Sequence, residues 1–151
     1  MTSDTSNPTD LILSGARPPA LYRLSSSWHA DYLVEPLSRQ GWRGFYINGR
    51  VVEDKASFLR VAGAALEFPP YVGHNWDAFE EAIRDLSWTP AQGYVLLYDG
   101  VWHLAWHDPA AWQTVQAILS DAVAYWQTTG TPFYVLLQRT WWYAREVEKL
   151  A

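Results

Sequence analysis

The sequence predicts an α/β fold in which helices flank a small parallel sheet. Two uninterrupted apolar runs, residues 94–98 and 133–137, are typical of strands that are covered on both faces. Helical patterns lie before the first run and between the two, and strands that alternate with helices favour a parallel sheet. A chain of 151 residues has the length of one domain and can bury a sizeable core.

The amino-terminal part of the chain is predicted to be less regular. Residues 1–18 are rich in Ser, Thr, Asp and Pro, which favours a flexible leader. A short strand is expected within residues 20–24. Apolar residues at helical spacing predict a helix within residues 27–40, which Pro36 should kink or shorten.

The next elements are a strand, a turn and a helix. Residues 45–47 form a compact apolar strand that reaches Asn48 and Gly49, a dipeptide typical of tight turns. Residues 55–66 place their apolar side chains on one side and therefore predict a helix.

A long helix is predicted to begin at Asp108 and Pro109 and to end at Gly130, because Asp is a good N-cap and Gly a common C-terminal stop. His103 and His107 precede it and are expected to lie in a connecting loop. On a helix, two histidines four residues apart could hold a metal ion, but no third ligand has suitable spacing. We therefore predict neither a metal site nor a cofactor.

Residues 68–86 carry the most information about function. Two prolines and Gly73 lead to Asn75, whose side chain fits the N-cap of another helix. Behind that cap, Asp77, Glu81 and Asp85 recur one turn apart, on a different face from the apolar stripe. The pattern predicts an exposed ridge of three carboxylates.

Acidic residues in the first turn of a helix stabilise any helix through its dipole, so the ridge alone does not require a partner. The ridge is, however, flanked by Tyr71, His74 and Trp76. Aromatic residues beside charges are typical of a protein-binding surface. We therefore interpret the segment as a surface that imitates something negatively charged.

The charge distribution indicates the kind of partner. The net charge is −5, but residues 67–108 contain seven acidic residues and one basic residue, Arg84, and so carry −6. Such a field attracts basic partners and repels phosphate backbones, which argues against direct nucleic-acid binding. The absence of cysteine, of a signal-like start and of a long apolar run predicts a cytoplasmic protein with no membrane association.

An enzymatic role has little support in the sequence. His74 beside Asp77 could act as a general base, but a helix start with a protruding loop predicts a convex surface instead of a pocket. The chain also contains ten tryptophans, most of them at core spacing. The run of Trp141, Trp142 and Tyr143 could pack on the amino-terminal extension or mediate self-association, and the sequence does not decide between these.

Taken in order, these segments resemble the barstar family, small intracellular inhibitors of the ribonuclease barnase. The resemblance begins at residues 46–49, continues through residues 55–66, and is most specific in the Pro-x-Tyr-x-Gly-x-Asn-x-Asp-Ala pattern of residues 69–78. It implies a three-stranded parallel sheet flanked by helices, with the family domain at residues 45–140. Residues 19–44 are then an extension that adds a strand or helix to the sheet edge, and residues 141–151 are a carboxyl-terminal tail.

The resemblance also implies which residues bind a partner. Tyr71, Asn75 and Asp77 are identical to contact positions of the family, and Trp76 replaces a leucine. Glu81 takes the place of the aspartate that occupies the phosphate site of the ribonuclease. Further family contact positions fall on Glu80, where the inhibitor has tryptophan, and near Tyr125. The predicted binding residues are Tyr71, Gly73, His74, Asn75, Trp76, Asp77, Glu80 and Glu81.

The implied function is that of an antidote that occludes the active site of a barnase-like ribonuclease or a related nuclease toxin. The alternative is a binding or regulatory module that has the same fold and a partner other than a nuclease.

Overall fold

Four parallel strands form the sheet of this protein, for which a computed structural model describes residues 7–151. The strands are β1 (Leu21–Arg23), β2 (Arg43–Asn48), β3 (Tyr94–Asp99) and β4 (Phe133–Leu137), and their spatial order is β1-β4-β3-β2. The predicted parallel α/β fold is confirmed. Residues 43–137 supply the expected three strands, and residues 19–44 add β1 at one edge of the sheet, as expected of the extension.

Six helices cover the two faces of the sheet within the described residues. Helices α1 (Pro8–Ser14) and α2 (Asp31–Arg39) lie on one face. The other face carries α3 (Lys55–Ala65), α4 (Trp76–Ile83), α5 (Val101–His107) and α6 (Pro109–Thr129). A single 3-10 turn, Gly49–Val51, follows β2.

The two central strands are buried on both faces, as their apolar runs predict. Leu96 and Tyr98 of β3 belong to the core under α3–α6, whereas Val95 and Leu97 belong to the core under α1 and α2. Because successive side chains of a strand point to opposite faces, a strand between two helical layers needs apolar residues at every position.

Residues 8–14, within the segment predicted as a flexible leader, form helix α1. Asn7 caps α1 by accepting from the backbone N–H of Thr9 at 2.9 Å, and Ile12 is only 1% exposed. The polar composition of this segment did not predict the helix, because a short helix needs few apolar residues to pack against the domain. Residues 1–6 lie outside the described part, and the proposed division into leader, extension, family domain and tail stays a prediction.

One further local expectation is corrected, and the structure also shows where Pro36 lies. The segment with His103 and His107 is helix α5 instead of a loop, and it begins after Gly100, whose φ of 76° allows the sharp entry from β3. Pro36 lies inside α2 without ending it, since that helix continues to Arg39.

The carboxyl-terminal tail lies along the outer edge of β1. Arg23 donates its backbone N–H to the carbonyl of Glu148 at 2.8 Å and accepts from the N–H of Leu150 at 2.8 Å. The aromatic part of the tail packs on α5, where Trp141 stacks on Trp102 with ring centroids 4.4 Å apart. The tail therefore satisfies backbone groups at an edge that would otherwise invite unwanted pairing.

A buried hydroxyl in the main core gives a stability prediction. The Tyr98 hydroxyl oxygen has no hydrogen-bond partner within residues 7–151, and burial raises the pKa of Tyr98 above its usual value. Because an unsatisfied buried polar group is costly, Tyr98→Phe is expected to increase the free energy of unfolding by about 1 kcal/mol. Urea denaturation measures the change.

The matched control for Tyr98→Phe is Tyr134→Phe in the other core. The Tyr134 hydroxyl donates to the carbonyl of Arg17 at 2.5 Å, so its removal is expected to lower stability by about 1 kcal/mol. A loss of stability in Tyr98→Phe would contradict the assignment of its hydroxyl as unsatisfied.

Candidate functional site

An anchored loop between α3 and α4 presents the aromatic part of the candidate site. After α3, the N–H of Phe68 donates to the carbonyl of Gly63 at 2.9 Å, and the N–H of Val72 donates to the carbonyl of Pro69 at 3.0 Å. The Phe68 ring packs on the rings of Phe79 and Trp88, with centroids 5.7 and 5.6 Å away. This anchoring holds the loop against the domain.

The residues at the tip of this loop face solvent. Tyr71 is 75% exposed, and Gly73 and His74 are also exposed. Asn75 begins α4 as predicted, because its Oδ1 accepts from the backbone N–H of Ala78 at 2.8 Å. The cap fixes the angle at which the loop enters the helix.

One of the aromatic residues of the predicted site is less accessible than the sequence analysis assumed. Trp76 is half-buried, and its ring centroid lies 5.9 Å from that of Phe58 in the core. The ammonium group of Lys55 lies 5.6 Å from the centroid of the Trp76 ring. Trp76 therefore joins the loop to the core and presents only part of its surface.

The acidic residues form the ridge that helical spacing predicts. Phe79, Ala82 and Ile83 are the buried stripe of α4, while Asp77 and Glu81 are exposed and make no ion pair with any described residue. Asp85 lies just beyond the helix and accepts from the Ser87 hydroxyl at 3.2 Å. These carboxylates are thus free to meet a charged partner.

A groove of about 200 Å³ joins the loop to the ridge. Its lining includes Tyr71 and Gly73 from the loop and Glu81 and Asp85 from the ridge. The structure therefore brings the aromatic and acidic parts of the predicted site onto one continuous face, which we call the acidic face. Asp85 and Trp88 also line this groove and were not among the predicted binding residues.

Glu80 differs from its acidic neighbours. Its Oε1 accepts from the Nη2 of Arg84 at 2.9 Å, and the guanidinium carbon of Arg84 lies 5.7 Å from the centroid of the Tyr125 ring on α6. The spacing of four residues between Glu80 and Arg84 is typical of an ion pair on a helix and could have been read from the sequence. The contact between Arg84 and Tyr125 depends on the packing of α4 against α6 and could not have been predicted from the sequence.

The histidines of α5 are engaged by the protein backbone. Nδ1 of His103 lies 2.8 Å from the carbonyl of Val52, and Nδ1 of His107 lies 2.8 Å from the carbonyl of His103. Across the part of the chain that the structure describes, no three His, Cys, Asp or Glu side chains are grouped as metal ligands.

None of the helices in residues 7–151 is both long enough and apolar enough to cross a bilayer.

The structure defines the protein as a small domain of the parallel α/β class with an exposed acidic face. Comparison with known families gives a more specific result. The family model described as Barstar (barnase inhibitor) matches residues 42–138, which is more than half of the chain, and the protein belongs to this family. The match covers β2 to β4 and α3 to α6. It begins after β1, α1 and α2, which lie in the extension.

A search of curated proteins gives no match to the sequence.

Proposed function

We propose that this protein inhibits a barnase-like ribonuclease or a related nuclease toxin by occluding its active site. The observation that carries the proposal is the pair of exposed carboxylates of Asp77 and Glu81, which have no ion-pair partner within residues 7–151 and lie beside Tyr71 on an anchored loop. Family membership supports an inhibitor over an enzyme. We further propose that it acts in the cytoplasm, without catalysis and without binding nucleic acid directly.

The proposed mechanism is phosphate mimicry combined with steric occlusion. A nuclease cleft that binds the RNA backbone is cationic, and a carboxylate that enters it replaces a phosphate as the anion. Glu81 is the proposed central anion and Asp77 the second, while Tyr71 supplies apolar contact area at the edge of the cleft. Aromatic anchors around a desolvated charge are typical of residues that dominate binding energy.

The charge of the acidic face should also speed association. Asp77, Glu81 and Asp85 are exposed on this face and make no ion pair with any residue of 7–151, and complementary fields raise the association rate of charged partners. This effect is screened by salt, so the association rate should fall as ionic strength rises.

A regulatory module with a partner other than a nuclease is the alternative. The ion pair between Glu80 and Arg84 favours this alternative, because Glu80 lies at a position where the family contacts its partner. A partner that tolerates this ion pair need not resemble barnase.

The test of the proposed function is the substitution Glu81→Ala. Glu81 is exposed, so the fold should be unaffected, but binding to the nuclease should weaken by at least about 2 kcal/mol. This expected loss is based in part on charge pairs in the complex of barnase with the family inhibitor, so it is not independent of the family. The loss should appear mainly in the dissociation rate, measured by surface kinetics with the cognate nuclease, or with barnase as the probe.

Two variants serve as controls for Glu81→Ala. Asp85→Ala removes a charge from the rim and should cost about 1 kcal/mol or less, mostly through a slower, salt-dependent association. Glu81→Asp shortens the side chain by one methylene and should be tolerated if the cleft is as deep as that of barnase. Equal affinities of the nuclease for the wild type and for a well-folded Glu81→Ala variant would exclude phosphate mimicry as the mechanism and favour the regulatory module.

A further inference from the structure

A shallow depression beside the acidic face has a cation in its wall. It has a volume of about 520 Å³ and is built by two helices, with Arg84 at the end of α4 and Tyr125 on α6. Its other walls are carboxylates, those of Asp77, Glu80, Glu81 and Asp85. Arg84 is thus the one basic side chain in an otherwise acidic and aromatic wall.

The position of Arg84 is determined by two contacts. Its guanidinium pairs with Glu80 at 2.9 Å and lies 5.7 Å from the Tyr125 ring centroid, within the range of a cation–π contact. Both partners of the ion pair keep about a third of their side-chain surface exposed, at 35% and 36%. Arg84 therefore neutralises Glu80 and covers part of the Tyr125 ring at the protein surface.

Arg84 is not fully satisfied in this position. Its Nε is buried and has no hydrogen-bond partner in the described part of the chain. A buried donor without a partner costs free energy. Hydrogen bonding alone therefore does not explain the conformation of the Arg84 side chain. The ion pair and the aromatic contact offset this cost.

We propose that Arg84 is a specificity-determining residue of the acidic face, which keeps cationic side chains of a partner away from Glu80 and the Tyr125 ring. The inference rests on the proposed function and specifies the partner further. A basic partner can direct its cations at Asp77 and Glu81, but opposite Arg84 it must present a neutral or acidic group. Like charges brought together at an interface are costly, and natural interfaces use such repulsion to reject wrong partners.

The experiment uses arginine amide as a probe, so that it does not depend on identifying the nuclease. In wild-type protein Arg84 pairs with Glu80 and covers part of the Tyr125 ring, whereas Arg84→Gln frees both Glu80 and the ring. Arginine amide should then bind at the Tyr125 ring with an affinity about fivefold higher than in wild type, the combined effect of one exposed ion pair and one cation–π contact. The measurement is an NMR titration that follows the Tyr125 ring protons.

Two matched variants locate the effect. Glu80→Gln removes the carboxylate and leaves Arg84 near the ring, so it should not increase binding. Adding Tyr125→Leu to Arg84→Gln removes the aromatic wall and should abolish the gain. Equal or weaker binding of arginine amide to Arg84→Gln, or a gain that survives Tyr125→Leu, would overturn the proposed role of Arg84.

Kinetic binding to barnase separates this inference from the proposed function. If Arg84 rejects cations, Arg84→Gln should bind barnase more tightly than wild type does. If no variant binds barnase or the cognate nuclease, the inhibitor proposal fails, while the arginine amide titration still decides the role of Arg84.

Discussion

Gly49→Ala is expected to lower the free energy of unfolding by about 3 kcal/mol or more, because the turn after β2 leaves no space for a side chain. A Cβ at this position would lie 2.2 Å from the carbonyl oxygen of Asp99 and 2.7 Å from that of Gly100. Both atoms belong to the backbone at the end of the central strand β3 and cannot rotate away. Chemical denaturation measures the loss.

Gly63→Ala is the matched control, since the same methyl group is added to a glycine inside α3. The nearest atom to that Cβ would be Cδ2 of Phe68 at 3.5 Å, an ordinary contact. Because alanine is the better helix former, this variant should gain about 0.5–1 kcal/mol. Similar effects of the two substitutions would show that the turn can relax, contrary to the geometry at Gly49.

Deleting residues 1–41 is expected to destabilise the protein more than Gly49→Ala does, because the deletion exposes one whole face of the sheet. The deletion removes β1, α1 and α2, which cover Val95, Leu97, Tyr134 and Leu136. Size-exclusion chromatography and thermal unfolding should show aggregation or a strongly destabilised domain, because a large exposed apolar patch drives association.

A point substitution tests the same layer without shortening the chain. Leu37 on α2 is 0% exposed, and Leu37→Ala should cost about 2–5 kcal/mol through lost burial and the cavity left behind. Arg39→Ala on the same helix removes only an exposed ion pair with Glu35 and should change stability by about 0.5 kcal/mol or less.

For the deletion of residues 1–41, a monomeric truncated protein with unchanged stability would show that the extension is only a tether.

The elements that the sequence predicts well are those whose requirements are local. Asn75 and Asp108 accept from backbone N–H groups at helix starts, and Gly130 ends α6 with a φ of 81°. The two central strands need apolar residues at every position, which leaves an unambiguous run. These features depend on side chains within a few residues of one another and can therefore be read in order.

The elements that the sequence predicts poorly depend on distant partners. Helix α1 is held by Ile12 in a core formed with α2. The strand β1 was expected, but its pairing with β4 on one side and with the tail at Glu148 and Leu150 on the other was not. Neither contact has a signal within the segment itself. The same reason explains the site: the ridge of Asp77 and Glu81 follows helical spacing, whereas the contact between Arg84 and Tyr125 joins two helices far apart in sequence.

The anchored loop between α3 and α4 has a consequence for the thermodynamics of recognition. Two prolines, the hydrogen bonds of Phe68 and Val72, and the Asn75 cap already restrict its backbone before any partner arrives. Little conformational entropy then remains to be lost on binding, and ordering of loops is a large part of the cost of association. The exposed ring of Tyr71 is therefore presented on a preorganised backbone, and less of the free energy of its contacts is offset by ordering of the loop.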